Sequence, residues 1–275
     1  MVGVITASEP SWIDPFTGLN PRQFNKLITA LRREGADPVR RGRPWALPLE
    51  DRVLLAAYWR TNLTLRQLAP LFGVSRSAAD RIVDHLGPAL ALQPRRRLRK
   101  ETVLIVDGTL VPARDRAVAA SSKNYRYSTN HQVVIDADTR LVVAVGKPLP
   151  GNRNDCRAWK DSGAKAAVGI TPTVIADGGY RSTGLTIPHY RRHKDEELPA
   201  WKEEHNASHR KVRARVEHTF ARMKSWKILR VCRLRCDGVH HAMLGIARLH
   251  NLTLTGCPAN MQVSRHVPDY LRDAI

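Results

Sequence analysis

Two apolar runs in this sequence each end on an aspartate: Thr102-Val-Leu-Ile-Val-Asp107 and Thr173-Val-Ile-Ala-Asp177. A basic helical pattern, Arg213-Ala-Arg-Val-Glu217-His-Thr-Phe-Ala-Arg-Met-Lys224, carries a glutamate. A carboxylate that closes a buried strand is held rigidly at a sheet edge, and two such strands plus a helix can bring three carboxylates to one point. Three convergent carboxylates can hold two Mg²⁺ ions about 4 Å apart for in-line attack at a phosphodiester. Mg²⁺ suits such a site because it takes hard oxygen ligands and keeps water and substrate phosphate in its shell.

A lone aspartate after an apolar run is often only a cap or turn residue. Here small residues follow both, in Asp107-Gly-Thr and Asp177-Gly-Gly-Tyr, and glycine lets a phosphate backbone approach closely. Glu196, Glu197, Glu203 and Glu204 compete for the third acidic position. Glu217 is preferred because Arg213 lies one turn before it and Lys224 two turns after, all on one helix face. That face would carry a metal ligand between two phosphate-binding cations. The ordinary alternative for Arg213 and Glu217 is an i,i+4 ion pair.

The elements that must position these residues can be read from periodicity. Residues 21–34, 49–61, 65–86, 155–168, 206–226 and 238–254 read as helical, the 65–86 segment as two helices around a tight turn. Apolar β-branched runs at Val103–Val106, Gln132–Ile135, Leu141–Val145 and Val174–Ala176 read as strands, with a further short strand at Leu185–Pro188. Five segments follow: an N-terminal lead-in and basic stretch (1–48), a helix-turn-helix (49–94), a basic linker (95–100), a catalytic α/β domain (101–257) and a tail (258–275).

The segment Leu65 to Val83 fits a helix-turn-helix. Leu65, Leu68, Ala69 and Phe72 form one buried face, Gly73 supplies the turn, Val74 plugs it, and Ser75 caps the next helix. Ala79 and Ile82 return to the core. Ser75, Arg76, Ser77, Asp80 and Arg81 then face outward on the helix that would enter a major groove. Pro70 lies inside the first helix, where it loses a backbone bond. The segment Arg41-Gly-Arg43-Pro is flat and basic enough to lie in an A·T-rich minor groove. A solvated linker is the equal alternative there, and Arg95–Lys100 can touch phosphate without reading sequence.

Charge supports a polyanionic partner. The chain has 275 residues and a formal net charge of +20. Residues 1–100 carry 17 Lys/Arg against 8 Asp/Glu, and the remainder 28 against 17. Both parts are basic, as expected of a protein that contacts nucleic acid along its length. The four cysteines, Cys156, Cys232, Cys236 and Cys257, lack paired zinc-site spacing and read as reduced thiols. No apolar run reaches the length of a membrane span, and Met1–Pro10 is not a signal peptide. A cytoplasmic location is expected.

Over roughly Asp51 to Leu254 the sequence resembles the DDE transposases of bacterial insertion sequences, in particular the insertion-sequence-five group and its Harbinger-like relatives. The resemblance rests on Val-Asp107-Gly-Thr, Pro150-Gly-Asn-Arg-Asn-Asp155, Ala176-Asp177-Gly-Gly-Tyr180, Arg213-xxx-Glu217-xxxxxx-Lys224 and the upstream helix-turn-helix. Arg210 departs from the family's Tyr-xx-Arg-xxx-Glu-xxxxxx-Lys signature, which has tyrosine at that position. The resemblance implies an α/β fold, an RNase H-like mixed sheet flanked by helices behind an all-α helix-turn-helix domain. It implies Mg²⁺-dependent cleavage at transposon ends and strand transfer into target DNA, with Mn²⁺ as a possible substitute. Asp107, Asp177 and Glu217 would be the metal ligands, and Arg213 and Lys224 would hold DNA. Asp155 matches a recurrent family aspartate and is expected to support the site, with an N-cap role as the alternative.

The expected partners are double-stranded transposon-end and target DNA, handled by a homodimer or larger assembly near the bacterial nucleoid. His131, His218, His240 and His241 are available bases without a defensible nucleophile partner. The rival readings are a DNA-binding regulator, which would leave the three acids unexplained, and an inactive element remnant.

Overall fold

The computed structural model describes residues 4–38, 44–93, 98–99, 101–122, 126–169, 173–191 and 197–255. Arg41, Arg43, most of the Arg95–Lys100 run, Glu196, Cys257 and the tail 258–275 lie outside the described residues. No helix among the described residues is long and apolar enough to cross a membrane.

The N-terminal part is all α. Helices α1 (Asp14–Thr17), α2 (Pro21–Arg33), α3 (Leu49–Trp59), α4 (Leu65–Leu71) and α5 (Arg76–Ala89) follow in order. Helix α2 starts on a reciprocal cap between Asn20 and Gln23, with Pro21 in its first turn, where a missing N–H costs nothing. Helix α3 is buried nearly all round, from Leu49 to Tyr58, so it forms the axis of this region. One apolar cluster takes Ile5, Phe24, Leu27, Leu54, Phe72 and Leu86 together. The lead-in therefore shares its core with the helix-turn-helix. Each fully buried Leu or Phe there is worth about 1.5–3 kcal/mol over exposure.

The turn between α4 and α5 follows its sequence. Gly73 takes φ +65°, a left-handed conformation that side chains disfavour. Ser75 Oγ accepts from the Ala78 amide at 3.1 Å. Pro70 falls in the last turn of α4, so the helix ends rather than kinks. Helix α5 runs through Pro88 to Ala89, three residues past the helical pattern read over 65–86.

The second part is a six-stranded mixed sheet between helices. It contains β1 (Val103–Pro112), β2 (Ala120–Ser121), β3 (Tyr127–Asp136), β4 (Val142–Val145), β5 (Leu149–Pro150) and β6 (Thr173–Ile175). The central order is β2-β3-β1-β6, with β4 and β5 also on β3. Among these strands β1 and β6 pair in parallel, and the β3 pairings are antiparallel. Alternation along β1 sorts its side chains onto two faces. Val103 and Ile105 pack with Val212 and Val216 of helix α8 (Ala200–Met223) and Ala242 and Ile246 of helix α9 (Gly238–Thr255). Leu104 and Val106 pack with Trp159 of helix α6 (Asp155–Asp161) and Ala164 of helix α7 (Ala164–Val168).

Four expectations change. Asp107 does not close its strand, because β1 continues to Pro112 on nine register pairs with β3. The helix expected over 155–168 is broken at Gly163 into α6 and α7. The last long helix but one begins at Ala200, not near 206. Leu185–Pro188 contributes only an isolated bridge, Thr186 to Ile175.

The two parts are docked by specific contacts. Gln23 Nε2 donates to the Leu252 and Thr253 carbonyls at 3.1 and 3.2 Å. Arg248 pairs with Glu34 at 2.8 Å, the Leu92 amide donates to Leu244 O, and Leu249 enters the N-terminal core. Helix α9 thus belongs to both.

Candidate active site

The parallel register of β1 and β6 sets the site. Ile105 pairs with Ile175, so Asp107 lies two residues further along β1, and Asp177 lies two residues past the same pair, just beyond the end of β6. The Ile105–Ile175 pair faces α8. Helix α8 lies on that face and brings Arg213. One guanidinium bridges two acids: Nη1 donates to Asp107 Oδ2 at 2.9 Å, and Nη2 to Glu217 Oε1 at 2.5 Å. The i,i+4 pair expected as an alternative is therefore present, and it reaches across to the sheet. Glu217 remains 56% exposed, whereas the Asp107 side chain is only 16% exposed.

Asp155 reaches the same edge from the opposite face. It is the first residue of α6, whose cap is supplied by Asn154, the Asn154 side chain accepting from the Arg157 amide. The N-cap alternative for Asp155 is thus not the arrangement found. Asp155 Oδ1 accepts from Asn130 Nδ2 at 3.1 Å and Gln132 Nε2 at 3.2 Å. The buried Tyr180 hydroxyl donates to Gln132 Oε1 at 2.6 Å. Gly108 makes the approach possible: a Cβ there would overlap Asp155 Oδ1. A Cβ at Gly179 would lie 2.9 Å from Asp177 Oδ1 and 3.8 Å from Asp155 Oδ2. Asp155 and Asp177 therefore approach each other beside Gly179, both act electrostatically on Asp107, and Glu217 is tied to Asp107 through Arg213.

The electrostatics agree. Burial first, then the carboxylates of Asp177 and Asp155, push the Asp107 acid up to about 6, against the opposing pull of Arg213 and the Gly108 amide. Burial, reinforced by Asp155, Asp107 and Asp177, pushes the Tyr180 phenol far above its usual range. A pocket of like charges with a bridging guanidinium is a place for a cation. Burial holds the Lys224 ammonium below its usual range while Asp107 raises it, so this lysine also faces the site.

Among the described residues no three Asp, Glu, His or Cys side chains are already arranged to hold a metal. The donor chemistry still fits a hard divalent cation, since every candidate ligand is a carboxylate oxygen. Arg213 stands in for positive charge between Asp107 and Glu217. The glycines leave the space at Asp155 and Asp177 free of side-chain carbon.

The residues of α5 and its cap that were expected to face outward do so. Ser75, Arg76, Ser77, Asp80 and Arg81 are exposed, and Ala79 and Ile82 are buried. The histidines divide. His131 is fully buried beside Thr129 Oγ1, 3.0 Å away, and burial drops its imidazole to about 3, so it is no base. Among the described cysteines Cys232 is buried, Cys156 half-buried and Cys236 exposed, so Cys232 and Cys236 do not share an environment. Asn130, Gln132 and Tyr180 were not singled out in the sequence. The signal was the polar run Ser128-Thr-Asn130-His-Gln132 directly ahead of the apolar Val133-Val-Ile135.

Residues 98–252 match the family described as Transposase DDE domain, and residues 45–96 match Helix-turn-helix of DDE superfamily endonuclease. A putative transposase for insertion sequence element IS112 from Streptomyces albus G is 78% identical over 93% of this chain and 100% of its own length. A probable transposase for insertion sequence element IS702 from Microchaete diplosiphon is 27% identical over 78% of this chain and 83% of its own. The cryo-EM structure of a piggyBac transposase synaptic complex with hairpin DNA is a distant likeness, with TM-score 0.39 at 11% identity over 89% of this chain and 73% of that one. With a mixed α/β sheet of the RNase H-like superfamily, a helix-turn-helix and a matching family over most of its length, this chain belongs to the DDE transposases.

Proposed function

We propose that this transposase binds the terminal inverted repeats of an insertion sequence and catalyses Mg²⁺-dependent cleavage and strand transfer there. The observation that supports the reading is the parallel β1–β6 register, with Asp107 and Asp177 each two residues past the Ile105–Ile175 pair. Asp107, Asp177 and Glu217 would hold the metal, and Asp155, oriented by Asn130 and Gln132, supports them. When bound, the divalent ions supply activation of water or a 3′-hydroxyl and charge stabilisation of the leaving oxygen; Mn²⁺ offers similar chemistry.

The chain's own residues do the rest. Arg213 must release Glu217 for that carboxylate to join the two aspartates, and it is then free to pair with a DNA phosphate. Lys224 holds phosphate on the same side. Ser75, Arg76, Ser77 and Arg81 contact the repeat from α5, with Arg41 and Arg43 in the adjoining minor groove. The proposed boundaries remain 1–48, 49–94, 95–100, 101–257 and 258–275, and membership of the insertion-sequence-five group rests on the motif resemblance. Two ends must be handled together, so the working form is a homodimer or larger assembly on cytoplasmic, nucleoid-associated DNA.

The test is incubation with Mg²⁺ and a duplex carrying the element's own terminal repeat, beside Asp177→Ala. Nicking at the repeat boundary by the native protein alone is the expected result. Binding without nicking in both samples would favour a regulator or remnant, and absence of joined product from pre-cleaved ends would reduce the reading to a simple nuclease.

A further inference from the structure

The hydrogen bonds behind Asp155 all run in one direction. The Tyr180 hydroxyl donates to Gln132 Oε1 at 2.6 Å. Gln132 Nε2 donates to Asn130 Oδ1 at 3.1 Å and to Asp155 Oδ1 at 3.2 Å. Asn130 Nδ2 donates to Asp155 Oδ1 at 3.1 Å and to the Arg153 carbonyl at 3.2 Å. Tyr180, Gln132 and Asn130 are buried, so bulk water does not replace a lost partner. Each amide uses both of its NH₂ hydrogens, and each amide oxygen accepts from the preceding donor.

That direction is decided at Tyr180. A side-chain amide has the same shape when turned over. Turned over, Gln132 would present Oε1 to the Asp155 carboxylate, which can only accept. A donor at the other end of the amide prevents this. Burial, reinforced by Asp155, Asp107 and Asp177, keeps the Tyr180 phenol protonated, so it has a hydrogen to give. With that hydrogen on Oε1, the Gln132 NH₂ faces Asn130 and Asp155, and the Asn130 amide is fixed in turn. Both amides then converge on Oδ1 of Asp155. Oδ2 is left toward the Asp177 turn, 3.8 Å from the place a Cβ on Gly179 would take.

Tyr180 is itself part of that turn. Its amide donates to the Asp177 carbonyl at 3.2 Å, and its carbonyl accepts from Thr183 Oγ1 at 2.5 Å. A second tie spans the same gap: the Cys156 thiol, one residue after Asp155, lies 2.9 Å from Gly179 O and 3.2 Å from Arg181 O. We infer that Tyr180 is a positioning residue for cleavage: through Gln132 and Asn130 its hydroxyl sets which oxygen of Asp155 faces Asp177, and it locks those two carboxylates to each other. A phenol three residues after one acid thus orients another acid carried on a different element. The assignment deepens the cleavage reading above and rests on it.

The test is a double-mutant cycle on the full chain, read in two ways. Tyr180→Phe keeps the ring and removes one hydroxyl; Gln132→Met keeps the side-chain length and removes the amide. Single-turnover nicking of the terminal-repeat duplex is measured well below the melting transition of every variant. Each single variant is expected to be about 10- to 100-fold slower than native protein, the usual loss when a group behind a metal site is removed. In the Gln132→Met background Tyr180→Phe should cost less than about twofold, because its route to Asp155 is gone. Equal losses in both backgrounds, or unchanged nicking by Tyr180→Phe alone, would overturn the assignment. The second readout needs neither metal nor DNA. The Nε2 protons of Gln132, identified in the NMR spectrum by their absence from Gln132→Met, should exchange slowly with water in the native protein and several-fold faster in Tyr180→Phe. A lower melting temperature with that amide still protected would mean a packing role only and would also overturn the assignment. Failure of the native protein to nick at all would overturn the cleavage reading, and the positioning role with it.

Discussion

The helix-turn-helix and the acidic edge treat charge in opposite ways. Helix α5 exposes Arg76 and Arg81 to water while its apolar side, with Ala79, Ile82 and Leu86, is buried. The acidic edge draws carboxylates together and partly buries them, at a cost visible in the raised Asp107 acid. The first arrangement is built from one local helix pair and tolerates substitution residue by residue. The second depends on three segments far apart in sequence, joined by a guanidinium that satisfies two acids at once. DNA affinity and DNA chemistry should therefore be separable by mutation, and several experiments can break that separation.

The largest expected effect is on chemistry alone. Asp107→Ala should reduce Mg²⁺-dependent nicking by at least about 10³-fold, since several kcal/mol of charge stabilisation go with the cation. Gel-shift affinity for the repeat should stay within a few-fold; a parallel loss of binding would show that the two regions are not independent. Gly108→Ala comes next. Its Cβ would overlap Asp155 Oδ1 and sit 2.9 Å from Gln132 Nε2. Displacing a carboxylate by about 1 Å is expected to slow cleavage about 10²-fold, with binding again retained.

Arg81→Ala probes the other region. It should weaken repeat binding about tenfold, the loss of one charged hydrogen bond, and reduce the magnitude of the log–log salt slope by about 1. Single-turnover nicking at saturating DNA should be unchanged. The smallest effect concerns stability. Asp107 has a folded-state acid near 6, above its ordinary 3.8. The folded state therefore holds this proton more tightly, and wild-type stability falls as pH rises from about 4 to 6. Asp107→Asn escapes that loss. In metal-free buffer at pH 8 it should melt about 2–6 °C higher than wild type, from about 1–3 kcal/mol. The difference should disappear near pH 4, and a lower melting temperature at pH 8 would mean that the Arg213 pairing outweighs burial.

Much of the helical part was legible because its information is local. Gly73, Ser75 and the apolar spacing from Leu65 to Leu86 decide turn, cap and buried face within one stretch of chain. The acids were legible as types, since Asp107 and Asp177 follow apolar runs, but their strand context was not. Asp107 looked terminal because Gly108 and Thr109 break the apolar run, yet pairing with Gln132 and His131 carries the strand onward. The support of Asp155 by Asn130, Gln132 and Tyr180 was invisible, because buried polar side chains in a strand resemble solvent-facing ones until their partners are known.

By itself the sequence determined the family, the basic character of both halves, the exposed cations of α5 and the three acids with Arg213 and Lys224 beside them. Composition, spacing and local propensity are properties of the chain and survive without a fold. The tertiary structure alone decided that Asp155 enters the acidic edge from the opposite sheet face, that Asn130 and Gln132 hold it there, and that Arg213 bridges Asp107 to Glu217. Each of those depends on register between strands and on which helix covers which face, and such long-range pairing is written in no single segment of sequence.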